Sequence, residues 1–244
     1  LSLRRQRQMC IRDRTRISEH TQSNELINIT SVACHIGSQI SNEDLILKSL
    51  DCIKEIADKL IDDGHKIEFL DIGGGLGIQY KDEDIGDPKL LLEKVKDRLK
   101  DKNYKIILEP GRSIVGTAGI LVTKVEYIKK AGDKKFAIID AGMNDLIRPS
   151  LYQAWHRVKE VEQRDIEVEM YDLAGPVCET GDILAKEREL KILPDDYLAI
   201  MDVGAYGSVM TSNYNSRLRP IELLSLIHIS EPTRPRLISY AVFC

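Results

Sequence analysis

The sequence predicts an α/β unit with a parallel sheet, followed by a mainly β domain, and three observations carry that expectation. Apolar, β-prone runs end in turns rich in Gly and polar groups: residues 27–34 run into His35-Ile36-Gly37-Ser38, residues 69–72 into Gly73-Gly74-Gly75, and residues 104–108 into Glu109-Pro110-Gly111-Arg112. These three sites recur at the spacing of a strand-plus-helix unit, which places their chemistry at one edge of a sheet. Beyond Gly116 helical periodicity becomes scarce and short strand-like runs follow one another.

Taken in order, Ser41-Asn42-Glu43-Asp44 can cap a helix to about Asp63, with Leu45, Leu50, Ile53, Ile56, Ala57, Leu60 and Ile61 at helical spacing and Gly64 closing it. Residues 66–72 supply the next strand. Asp87-Pro88 opens a second helix, where the missing N–H of proline at the first turn costs nothing, and Leu91, Leu92, Val95 and Leu99 form its apolar stripe. Residues 104–108 are the third strand. Strand and helix alternating with short connections indicate a parallel sheet. Further on, residues 120–128, 135–140, 166–173 and 197–203 read as strands, with a helix over 149–158 and a helical turn over 180–184. The boundary between the two regions is expected near Ser113 to Thr117.

A closed (β/α)8 barrel takes roughly 250 residues. The α/β part here has far fewer, so it reads as part of such a barrel within a longer protein. Both ends differ in texture. Residues 1–14 hold five Arg and no Lys, and every Lys lies between Lys48 and Lys191. The head (1–14) and the tail (224–244) are therefore set apart as non-native-looking ends, leaving 15–115 as the α/β unit and 116–223 as the β domain.

The 244 residues are 43% hydrophobic and 30% charged, the balance of a globular protein. A net charge of −4 argues against nucleic acid or an anionic membrane surface as partner, and no apolar run is long enough to span a bilayer. Five widely spaced cysteines without metal-type pairing predict a reduced, cytoplasmic compartment and no metal site.

Singly, each chemistry-bearing turn has a plain structural reading. Gly73-Gly74-Gly75 can be a tight turn, or a cradle whose N–H groups approach a phosphate with help from a following helix; Ser38 could add a hydroxyl. His35 is a strand-end ring, and Glu109 with Arg112 can be an exposed ion pair. In the second region, the segment 140–149 puts Arg148 just ahead of Tyr152. The loop 175–182 sets Cys178 beside Glu179, and Tyr206 stands on a glycine-flanked turn. Together they place anion binders, a thiol and an aromatic hydroxyl on loops, where function concentrates.

In order along the chain, HIGSQI, DIGGGLGI, EPGRSIVGTAG, DAGMNDLIRPSLY, GPVCETGD and DVGAYG resemble the diaminopimelate decarboxylase family over roughly residues 17–222. The resemblance implies a partial (β/α)8 barrel of alanine-racemase type followed by a C-terminal β-barrel-like domain. It implies pyridoxal 5'-phosphate as cofactor, an amino-acid substrate, and a homodimer. His35 would stack on the pyridine ring. Ser38, Gly73, Gly74, Gly75, Gly111 and Arg112 would hold the cofactor, and Glu109 would pair with its ring nitrogen. Arg112, Arg148 and Tyr152 would bind the distal carboxylate of the substrate and Glu179 its distal ammonium. Cys178 would reprotonate the α-carbon from the other subunit, and Tyr206 would touch cofactor and substrate. The reaction implied is release of CO2 from meso-diaminopimelate to give L-lysine. Decarboxylases of ornithine, arginine or carboxynorspermidine share part of the pattern, and so would a catalytically dead regulatory homologue. The family's Schiff-base lysine lies in a motif upstream of anything present here, so this chain alone is expected to be inactive.

Overall fold

The computed structural model describes residues 18–224, apart from positions 22, 23 and 25. The head set apart above, and the tail beyond Leu224, lie outside the described residues. The chain divides between Ile120 and Leu121 into two compact units.

In the first unit, β1 (Ser31–Ala33), β2 (Phe69–Asp71) and β3 (Lys105–Ile107) form a parallel sheet in the order β1-β2-β3, with Val32 opposite Leu70 and Leu70 opposite Ile106. The strands are shorter than the apolar runs that encode them, although cross-strand bonds such as Cys34 N to Asp71 O and Ile72 N to Ile107 O continue past their ends. Two helices accompany the sheet, α1 (Glu43–Asp62) and α2 (Pro88–Leu99). Asn42 caps α1 by accepting from Asp44 N, and Asp87 caps α2 by accepting from Lys89 N at 2.8 Å, with Pro88 at the first turn. Gly64 takes φ +94 just past the end of α1, a left-handed turn that glycine adopts without strain.

Leu50, Ile53 and Ala57 of α1 and Leu91, Val95 and Leu99 of α2 pack with Leu70 and Ile72 in one core. Each such leucine contributes about 1.5–3 kcal/mol of burial. Leu45, Ile61 and Leu92 instead face solvent in part, while Ile46 and Leu47 are buried, so the apolar face of α1 is rotated slightly from the expected stripe. The ion pairs joining the two helices (Lys94–Glu43, Arg98–Asp51) are exposed enough to add little beyond register. Tyr104 OH and Lys102 both donate to Asp58, and the Lys102 ammonium holds that carboxyl below the usual range. A four-residue helix, α3 (Arg112–Val115), follows β3 and the Glu109 turn.

The second unit is a six-stranded sheet in the order β6-β9-β4-β5-β7-β8. Its strands are β4 (Leu121–Ala131), β5 (Lys134–Ile139), β6 (Val158–Glu160), β7 (Glu169–Ala174), β8 (Ile183–Leu190) and β9 (Tyr197–Ile200). All neighbours are antiparallel except β5 and β7, which pair in parallel. The sheet curls until edge strands β6 and β8 come close, giving a nearly closed barrel. Inward residues Val125, Ile139, Leu173, Leu184, Leu198 and Ile200 fill it.

Strands β6 and β8 are not among those expected, and two helical segments also depart from expectation. The helix over 149–158 is only α4 (Arg148–Tyr152), because Gln153 turns left-handed at φ +53, and the chain then enters β6. The turn at Thr180 leads directly into β8 rather than forming a helical segment.

Candidate active site

The three strand-end turns of the first unit lie at one edge of its parallel sheet, since all three strands run the same way. Glu109 N donates to Gly73 O at 2.8 Å, and Ile40 N donates to Gly75 O at 2.8 Å, so the glycine turn is held between the turns that follow β3 and β1. No helix follows the glycines directly. Leu76 instead forms a parallel bridge with Ile40, so a helix dipole adds nothing at this turn.

The fit is too close for side chains. A Cβ on Gly74 would stand 2.0 Å from Glu109 O, and one on Gly75, which sits at φ +93, would stand 2.4 Å from Gly37 O. His35 is exposed beside this turn, with Nδ1 3.4 Å from Gly74 N. Arg112 donates from Nη2 and Nε to Ser38 Oγ at 3.2 and 3.4 Å and from Nη1 to Tyr80 OH, whose ring it also overlies at 5.6 Å. Glu109 and Gly111 are exposed at the same edge. A guanidinium, a hydroxyl and a side-chain-free backbone turn form a donor set suited to a phosphate dianion. Tyr80, which braces Arg112, carried no signal in the sequence.

In the second unit, the expected residues fall on three segments. Arg148 and Tyr152 begin and end α4. Arg148 is buried and lies 2.9 Å through Nη1 from His156 Nε2, whereas Tyr152 is exposed. Cys178 and Glu179 are exposed on the loop between β7 and β8. That loop is tied to α4 by Ser150 Oγ, which donates to Gly181 O at 2.6 Å. Asp182 anchors it from inside, accepting from Val177 N and Met143 N at 2.6 Å each. Burial pushes the Asp182 carboxyl up, against those two amides and the Arg217 guanidinium; the Asp145 charge adds to the rise. Tyr206 is partly exposed on the turn after β9 at φ +65, a conformation costly for a non-glycine residue. Asp182 stands inside a motif read from the sequence, yet only the fold shows it as the anchor. His156 gave no sign of its contact with Arg148, because the intervening chain reads as one helix.

Among the described residues, no group of three or more His, Cys, Asp or Glu could hold a metal ion, and no helix is long and apolar enough to cross a membrane.

A nearly closed sheet barrel follows a parallel sheet with a glycine turn at its edge, and this two-part fold points to the class of proteins that the chain resembles. The family model for the pyridoxal-dependent decarboxylase C-terminal sheet domain matches residues 18–204. The chain belongs to the pyridoxal-dependent decarboxylase family. It is 48% identical over 198 residues to a diaminopimelate decarboxylase of Pseudomonas aeruginosa, covering 81% of this chain and 48% of that protein. With the Aquifex aeolicus diaminopimelate decarboxylase the identity is 45% over 216 residues, covering 88% of this chain and 51% of the relative. The crystal structure of the Helicobacter pylori diaminopimelate decarboxylase complexed with L-lysine superposes with a TM-score of 0.80 at 38% identity, over 85% of this chain and 52% of that one. The chain thus spans about half the length of the relatives it matches.

Proposed function

We propose that this chain provides the C-terminal half of a diaminopimelate decarboxylase, which removes CO2 from meso-diaminopimelate to give L-lysine. The observation that carries the reading is the Gly73–Gly75 turn pressed against Glu109 O, with Arg112 and Ser38 beside it. The 48% identity to a named diaminopimelate decarboxylase supports the substrate.

The residues of this edge fit pyridoxal 5'-phosphate: the glycine turn, Ser38, Gly111 and Arg112 would hold its phosphate and His35 would lie against its ring. When bound, that cofactor supplies an electron sink for the electron pair left as the carboxylate departs. Glu109 would keep a proton on the ring nitrogen, since a carboxylate favours the charged form of the base beside it. Arg148 would take the carboxylate at the substrate end that does not react, where a planar fork suits a carboxylate better than a point charge does. Arg112 and Tyr152 would assist it, and Glu179 would pair with the ammonium at that end. Cys178 would return a proton to the α-carbon, and Tyr206 would contact both cofactor and substrate. The reading includes assembly as a homodimer, with Cys178 and Glu179 serving the partner's site.

The test is CO2 release by the full-length protein containing this chain, supplied with pyridoxal phosphate and offered meso-diaminopimelate, ornithine or arginine in turn. Turnover is expected with diaminopimelate alone. Preference for ornithine or arginine, or no turnover of any of the three, would refute the proposal.

A further inference from the structure

Two hydrogen bonds of the His156 ring bear directly on its protonation. Its Nδ1 lies 2.9 Å from Met201 O, and its Nε2 lies 2.9 Å from Arg148 Nη1. A backbone carbonyl can only accept, so Nδ1 carries a proton. A guanidinium can only donate, so Nε2 is bare and accepts. Both contacts are satisfied by one neutral tautomer and by no other form of the ring. The side chain is fully buried, at 0% exposure, and Arg148 is 6% exposed, so neither bond competes freely with water.

The ring is itself held firmly. His156 stands just ahead of β6, whose pairing with β9 is continued by Met201 N donating to Arg157 O at 2.8 Å. The carbonyl that receives Nδ1–H is therefore fixed by the sheet. The guanidinium of Arg188 lies 4.6 Å from the Trp155 ring and donates from Nη2 to His156 O at 3.3 Å, which fastens the backbone on the other side. A chain of fixed contacts thus runs from the barrel through the imidazole to Arg148.

We infer that His156 is a positioning residue of the carboxylate site: its unprotonated Nε2 accepts from Arg148 Nη1 and helps hold the fork in the orientation that recognises the carboxylate of the substrate. The inference rests on the reading of Arg148 as the carboxylate binder. Diaminopimelate has two amino-acid ends. The end that keeps its carboxylate becomes the carboxylate of L-lysine, so the product reports on this site without turnover.

The experiment measures binding of L-lysine and of 1,5-diaminopentane, which lacks the carboxylate, to the full-length cofactor-loaded protein. His156→Leu is expected to weaken L-lysine about 10–100-fold, as for loss of a hydrogen bond to a charged group, and to leave 1,5-diaminopentane within about 3-fold. His156→Gln, whose Oε1 can accept from Nη1, should restore most of the L-lysine affinity. Equal loss for both ligands, or unchanged L-lysine binding in His156→Leu, would overturn the positioning role. An Arg148→Ala control separates the two ideas. If it leaves L-lysine binding intact, the carboxylate reading fails and this inference with it; if it abolishes the preference while His156→Leu does not, only the positioning role fails. Should His156→Leu not fold, the Gln variant and the side-chain 15N spectrum of the wild-type protein decide. A protonated Nδ1 with a bare Nε2 is expected, and a proton on Nε2 overturns the inference.

Discussion

Replacing Gly175 with alanine would place a Cβ 2.4 Å from Asp182 Oδ2 and 2.6 Å from Oδ1, where ordinary contact begins at 3.4 Å. The carboxylate cannot swing aside cheaply, because Val177 N and Met143 N each hold one of its oxygens at 2.6 Å. Relief requires it to withdraw by nearly an ångström, which breaks both bonds. Each is a hydrogen bond to a charged acceptor, worth about 1.5–3 kcal/mol. Part is recovered, because burial already disfavours the charge that the move would re-expose. We expect a net loss of about 2–4 kcal/mol. With a urea dependence of about 2 kcal/mol per molar, the unfolding midpoint should fall by about 1–2 M. Trp155, the only tryptophan, lies in the second unit, so its fluorescence follows that unit. The decisive comparison is an Asp182→Ala background. Gly175 is not in the left-handed region, so there alanine should be neutral or stabilise by about 0.4–1 kcal/mol. A similar cost in both backgrounds would refute the clash.

Three further outcomes are expected. In the full-length protein, Glu109→Gln should cut decarboxylation by about a hundredfold or more while the cofactor is retained, read from turnover and cofactor absorbance; near-normal turnover would mean another group manages the ring nitrogen. Cys178→Ala should slow turnover by about 10²–10⁴-fold with little change in cofactor affinity, and equal losses in both would count against proton donation. Arg164 holds the Asp196 carboxyl below the usual range, chiefly through their hydrogen bonds. A depressed folded value means that this stabilisation is present above the unfolded carboxylate value of about 3.9 and is lost as pH falls through the folded value. Arg164→Gln should therefore move the acid-unfolding midpoint upward, and an unmoved midpoint would show that the pair is silent.

The first unit was largely legible because its turns advertise themselves: His35, Gly73–Gly75 and Glu109–Arg112 each terminate a β-prone run, and parallel strands bring such ends to one edge. Strand β8 was not legible. Between its pairs with Tyr171 and Leu173 the register slips, and Glu187 sits at φ +55 with its N–H given to Asp172 Oδ1 at 2.8 Å. A bulge of this kind breaks the two-residue alternation on which strand reading depends. The helix over 149–158 failed for a related reason. Gln153 adopts a left-handed turn that no local residue preference announces, and with it went any view of His156. The grip on Arg148 arises from pairing between β6 and β9, a contact that composition and spacing do not encode.

The parallel pairing of β5 with β7 forces the chain to cross over between them, and that crossover is where Arg148, Tyr152 and His156 reside. Among the described residues, strand β6, within it, finds its ladder partner only when β9 has been made, about forty residues further on. During synthesis, Arg148 therefore leaves the ribosome well before the carbonyl of Met201 that steadies its imidazole neighbour. The cradle of the first unit is encoded entirely ahead of residue 120 and can order early. The Arg148 guanidinium is thus steadied late, and a nascent chain interrupted short of residue 201 would carry a formed glycine turn with an unsteadied arginine.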